Sequence, residues 1–218
     1  MQILEIQLLS TDLAKTEEFY HHVLGLPLVQ SAANSISFLM GTSKIVFLKS
    51  EGKTPIYHFT FHIPKNQLLE GMDWVAQKTE IILNDEQEKI TDFENWNAKS
   101  FYFFDYNGNI LECIVRFDLQ NESSAAFSVE SLLGISEMGI GTDNVLELVA
   151  RLRTEADIPL FSKQVQRENF HALGDDEGLF VISRTDRNWY PTQIPVEKFY
   201  TKIILTENGT KYELEVNK

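Results

Sequence analysis

The sequence predicts an α+β fold assembled from repeated βαβββ-like units, and two observations predict it. Three stretches share one hairpin-like layout, in which an apolar run, a short polar turn and a second apolar run follow one another. Upstream of each lies a strand-like run that leads into a helical pattern. Self-similarity of this kind marks one supersecondary unit used several times. A chain of 218 residues, 43% hydrophobic and 23% charged, is long enough to bury a sizeable core as one large domain or a domain with an appended unit.

In the first unit, ILEIQLLS reads as a strand and TDLAKTEEFYHHVLGL as a helix. Thr11 or Asp12 can cap that helix and Gly25 can end it, while Leu13, Phe19, Tyr20, Val23 and Leu24 fall near one face. The hairpin Ser35 to Ser50 follows. The second unit repeats the order with IYHFTFHIP, NQLLEGMDWVAQK and the hairpin Ser100 to Val115, whose Asn107-Gly108-Asn109 turn tolerates positive φ. Residues 118–128 read as a polar linker. The third unit runs through ISEMGIG, TDNVLELVARLRTEA and the hairpin Phe170 to Ser183; two more strands flank the Asn208-Gly209 turn.

The bulk numbers exclude several classes. A net charge of −13 repels phosphate backbones, so nucleic acid is not an expected partner. The N-terminal residues show no signal peptide, and no apolar run reaches the roughly 20 residues of a membrane span. Cys113 is the one cysteine, which rules out an internal disulfide and makes a cytoplasmic location the simplest expectation. There is no phosphate-binding glycine loop, no zinc-protease HExxH and no GxSxG elbow.

Two phrases carry a family resemblance. FYHHVLGLPLV closes the first helix, and FFDYNGNILECIV forms an aromatic-Asp-x-x-Gly-Asn-x-x-Glu hairpin. In this order and separation they resemble the vicinal oxygen chelate superfamily of glyoxalases, bleomycin-resistance proteins and extradiol dioxygenases. The resemblance implies paired βαβββ modules forming a curled mixed sheet around a cup. Residues 1–117 would be a two-module glyoxalase-like domain and 128–218 a degenerate third module. In that superfamily up to four positions hold a metal, on the first and last strand of each module. Carried onto this sequence they fall on Glu5, His58 and Glu112, with the fourth at or beside Phe47, which cannot ligate. The implied cofactor is a divalent ion, Fe, Zn, Mn or Ni. The implied function is a metal-dependent enzyme acting on a small oxygen-rich molecule, of lyase, isomerase or ring-cleaving dioxygenase type. The alternative is a metal-free small-molecule binder of the bleomycin-resistance type, which would work as a homodimer.

The residues support this chemistry independently. Strand alternation puts Glu5 and Gln7 on one face, and His58, Thr60 and His62 on one face. Glu112 sits in the apolar run NILECIV, where an unpaired carboxylate costs several kcal/mol and a cation would compensate it. Glu112 and Glu5 are the candidate catalytic carboxylates, and Gln7, Thr60, His62, Phe93 and Trp96 the candidate substrate contacts. Each has a plain counterpart: an edge-strand Glu5, a hydrogen-bonded core His58, a surface His62 near Pro64, packing aromatics at Phe93 and Trp96. In the third unit the first-strand position reads as Ser136 and the last-strand region as Val181-Ile182, so no metal is expected there. Cys113 alternates with Glu112 and reads as a buried apolar residue.

Overall fold

Alternation of large apolar and smaller polar side chains sets the strands, and capped amphipathic segments set the helices. The computed structural model of the chain describes residues 1–165 and 167–218. The first unit comprises β1 (Gln2–Ser10), α1 (Leu13–Glu17) and β2 (Leu28–Ala32), β3 (Ser35–Met40) and β4 (Ser43–Lys49). Asp12 caps α1 by accepting from the Lys15 amide at 3.0 Å, and a π-helical turn, Glu18–Val23, continues the helix up to Gly25 at φ 84°.

The second unit comprises β5 (His58–His62), α2 (Leu68–Ala76), the short β6 (Ile81–Ile82) and β7 (Thr91–Phe93), then β8 (Ala98–Phe104) and β9 (Ile110–Arg116). The third comprises β10 (Gly134–Thr142), α3 (Val145–Ala156), β11 (Phe170–Asp175) and β12 (Gly178–Arg184). Asn144, the third residue of the TDN run, caps α3 by accepting from the Glu147 amide at 3.2 Å. A last hairpin, β13 (Thr201–Glu207) and β14 (Thr210–Val216), turns at Asn208 and Gly209, both at positive φ.

Among the described residues, fourteen strands join one mixed sheet whose main path runs β2-β3-β4-β1-β10-β5-β9-β8-β6. The order corrects the expected pairing of the first two units. β5 lies antiparallel to β10, so the second unit pairs with the third. β1 lies antiparallel to β13, so the first unit pairs with the C-terminal hairpin, while β1 pairs with β10 at Ile3–Ile135. The physical reason lies in β10: every residue from Gly134 to Gly141 is buried, as suits a strand at the centre of a sheet rather than a peripheral one. The one main apolar core gathers Phe19, Tyr20, Phe47, Phe59, Phe61, Phe103, Met138, Leu152 and Ile203 between sheet and helices.

The β8–β9 turn locks two strands of the second unit together. The Asp105 carboxylate accepts from the amides of Asn107 and Asn109, each at 2.9 Å, from the Asn109 side chain at 2.7 Å and from the Tyr20 hydroxyl at 2.9 Å. Asn109 in turn accepts from the Tyr57 amide at 2.8 Å, which fixes β5 one residue before His58.

Candidate metal centre and its cavity

Three cross-strand neighbours on β9, β5 and β10 place side chains on one face. Thr60 stands opposite Glu112 on one side and opposite Glu137 on the other. His58 lies one residue pair along the same face of β5. The result is a buried group, His58, Glu112 and Glu137, each offering a ligand atom within 4.8 Å of the others.

The hydrogen bonds fix what these atoms can do. His58 Nδ1 lies 3.1 Å from the Ile110 carbonyl oxygen, which can only accept, so Nδ1 carries the proton and Nε2 presents a lone pair. Burial lowers the pKa of this imidazole, opposed by the neighbouring Glu112 charge and the Ile110 bond. Nε2 then faces Glu112 Oε2 at 3.6 Å, one acceptor against another. Thr60 donates to Glu112 Oε2 at 2.8 Å, while Glu112 Oε1 is buried without a hydrogen-bond partner among the described residues. Burial pushes Glu137 up to about 8, with Arg116 opposing and Glu112 adding to the rise.

Arg116, at the end of β9, is 1% exposed and holds Glu137 in place. Its guanidinium donates to Glu137 Oε1, to Ser136 Oγ at 3.4 Å and to Asp176 Oδ1 at 3.4 Å. It also lies over the Trp96 ring at 5.6 Å. Lys163 continues the chain outward by bridging Asp176 and Asp118, both at 2.6 Å.

Above the group opens a cavity of about 220 Å³. Its walls are largely aromatic: Phe93 and Trp96 stack at 5.7 Å, Tyr102 faces the His58 ring at 6.2 Å, and Trp189 faces it at 5.5 Å. Burial and the Glu112 charge raise the Tyr102 phenol well above its ordinary pKa, so it stays protonated. Phe170, Val181, Ser183, Arg187 and Tyr190 complete the side formed by the third unit and the loop after β12.

Of the expected ligands, the structure brings His58 and Glu112 together and puts Glu137 in the third place. Glu5 lies elsewhere: it accepts from Gln7 at 2.6 Å and pairs with Lys44 at 3.3 Å, on the sheet shared with β13. Gln7 therefore also stands outside the cavity. Phe47 packs on Tyr20 at 5.1 Å in the core. Thr60 touches Glu112 rather than the open cavity. His62 is buried, not at the surface, and lines a separate cavity with Gln120, Asn121 and Glu177. Phe93 and Trp96 do line the cavity above the group.

Glu137 brings a carboxylate of the third unit into the group, at a strand where the sequence pointed to Ser136. A register irregularity between Ile135 and Glu137 breaks the alternation, so the residue after Ser136 turns to the cup. A signal was present: Glu137 interrupts the small and apolar run ISEMGIG much as Glu112 interrupts NILECIV. Arg116 carried no comparable mark, because Glu137, Ser136 and Asp176 belong to the third unit; nothing in the local sequence marked Tyr102 or Arg187. Cys113 is buried and faces away, with its thiol raised well above its ordinary pKa by burial first and by Glu112 second.

Comparisons with known proteins agree with this architecture. Residues 2–156 match the family model described as Glyoxalase/Bleomycin resistance protein/Dioxygenase superfamily. No curated protein matches the chain by sequence. Among solved structures, a "putative dioxygenase" from Bacillus subtilis subsp. subtilis str. 168 covers 100% of this chain and 85% of its own, at 14% identity and a TM-score of 0.64. A lactoylglutathione lyase from Agrobacterium tumefaciens covers 52% of this chain and 92% of its own, at 22% identity and a TM-score of 0.43. FosX from Listeria monocytogenes, complexed with Mn(II) and sulfate, covers 51% and 86%, at 18% identity and a TM-score of 0.40. No helix among the described residues is long and apolar enough to cross a membrane.

Proposed function

The chain belongs to the Glyoxalase/Bleomycin resistance protein/Dioxygenase superfamily, and from that premise we propose that His58, Glu112 and Glu137 hold a divalent metal ion and that the protein is an enzyme acting on a small oxygen-rich molecule in the cavity above them. The observation that carries this is the pair of facing acceptors. The His58 Nε2 lone pair and the Glu112 carboxylate point at one another at 3.6 Å, with Glu112 Oε1 buried and without a hydrogen-bond partner among the described residues. A proton on the imidazole would relieve the clash, but burial disfavours it. A cation relieves it, and the three ligand atoms, within 4.8 Å of one another, need only draw to within about 4 Å to share an ion at bonds of about 2 Å. One imidazole and two carboxylates are compatible with Zn, Fe, Mn or Ni.

Bound there, such an ion would supply Lewis-acid polarisation to paired substrate oxygens. The residues around it have their own parts. The Ile110 carbonyl orients the His58 ring, Thr60 orients Glu112, and Arg116 orients Glu137. The aromatic walls exclude water and receive an apolar body. Lyase, isomerase and ring-cleaving dioxygenase chemistry all fit a site of this kind, and the substrate-facing residues rather than the fold decide among them.

One observation favours a second reading, a metal-free binding protein: Arg116 already compensates one of the two carboxylates. Metal analysis of protein purified without chelators or affinity metal resin separates the two. The enzyme reading expects close to one metal ion per chain, lost in His58→Ala and in Glu112→Ala. A wild-type protein that carries no metal and takes none up on reconstitution would leave the binding reading.

A further inference from the structure

Three buried polar atoms on the side chains that line the cavity have no hydrogen-bond partner among the described residues, and they differ in sign. Glu112 Oε1, beside the proposed metal, is an acceptor. Arg187 Nη1 and the Trp189 indole nitrogen, on the loop between β12 and β13, are donors. A donor buried without an acceptor is destabilising, more so when it is charged. Two such donors two residues apart call for an oxygen-bearing group that the protein itself does not supply.

Arg187 strengthens the point by what surrounds it. Its guanidinium lies over the Phe170 ring at 4.8 Å and forms no ion pair among the described residues. Arg167 shares with it a wider recess that opens beside the first cavity past Phe93 and Trp96. Of the two carboxylates on that recess, Asp92 is paired with Lys99 at 2.8 Å, and neither it nor Glu94 forms an ion pair with Arg187 among the described residues. In a chain of net charge −13, a half-buried arginine left without a carboxylate is a local reversal of sign.

We propose that Arg187 and the Trp189 indole N–H bind a carboxylate on the ligand of this cavity, so that the ligand class is a small organic acid with a planar apolar body. The body lies among Phe93, Trp96 and Tyr102, which favour a flat, ring-sized group. The end away from the carboxylate reaches toward His58 and Glu112. The proposal rests on the functional reading for that second end alone, since the anion subsite is made of this chain's own donors.

The test compares 3-phenylpropionate with its neutral isostere 3-phenylpropionamide, titrated into the full-length protein and followed by tryptophan fluorescence. Both chelator-treated and metal-reconstituted samples are measured. The acid is expected to bind at least tenfold more tightly than the amide in both samples. Arg187→Gln should bring that ratio near one, and Arg187→Lys should keep part of it; thermal melts establish that each variant folds. Equal binding of acid and amide to wild-type protein, or no binding of either, overturns the proposal without any variant. A preference present only in the metal-loaded sample would put the carboxylate on the metal and overturn it too. A preference present in both samples from a protein that takes up no metal would keep this inference and remove the enzyme reading.

Discussion

At the scale of single residues, Arg116 shows how a buried charge is tolerated. Desolvating a guanidinium costs several kcal/mol, and the cost is offset only when every donor finds a partner. Arg116 reaches Glu137, Ser136 and Asp176 while lying over Trp96, so the second and third units depend on one side chain. His62, nearby on β5, shows the opposite solution, a buried imidazole kept neutral. Burial, helped by the Arg116 charge, pushes it down to about 4, although its bond to the Glu177 carbonyl opposes the shift. Above pH 6.5 neither the folded nor the unfolded form of His62 is protonated, and it adds no pH dependence. As the pH falls from 6.5 toward 4 the unfolded chain takes up the proton first, so stability drops, by on the order of 3 kcal/mol. Urea unfolding between pH 7 and 4 should show that loss, and His62→Gln should flatten it. His58 and His171, also lowered by burial, act in the same direction and leave a residual slope.

At the scale of elements, the β8–β9 turn matters although none of its residues lines the cavity. Asp105 gathers four donors, one of them from Tyr20 of the first unit, and Asn109 passes the constraint to β5. Through that turn the spacing between His58 and Glu112 is set at one end. Asp105→Ala leaves several buried donors without an acceptor and should lower stability by about 2–4 kcal/mol. It should also weaken metal binding severalfold, measured by competition with a chromophoric chelator; unchanged affinity in a folded variant would separate the turn from the site. The same phrase made the turn and Glu112 legible in the sequence, because Asn-Gly-Asn chemistry and a lone carboxylate in an apolar run are both local signals. The helices were legible for the same reason, α1 and α3 through their caps and α2 through its helical pattern alone. The short strands β2, β6 and β7 were not, since pairing with β3 and β8 decides them. Gly139 illustrates a constraint invisible from sequence: a Cβ there would stand 2.8 Å from the Trp189 ring and 2.9 Å from the His58 carbonyl oxygen. Only the fold brings those atoms to that strand.

At the scale of the whole molecule, the units were readable and their partners were not. Residues 1–117 contain two units in sequence, yet β1 turns to β13 and β5 turns to β10. Hydrophobic alternation tells which face of a strand is buried, not which edge finds which neighbour. Glu5 was a reasonable candidate on position alone, and it lies on the sheet of the first unit and the C-terminal hairpin, paired with Lys44. Glu137 entered because a register irregularity moved it to the cup face. The proposed centre therefore spans the joint between the second and third units. The most direct measurement is metal affinity of Glu137→Ala and Glu5→Ala side by side, by calorimetric titration with Zn²⁺ and Mn²⁺ into folded, metal-free protein. The account predicts that Glu137→Ala loses at least tenfold in affinity while Glu5→Ala matches the wild type. Loss in Glu5→Ala with Glu137→Ala unaffected would contradict it and return the centre to the first unit.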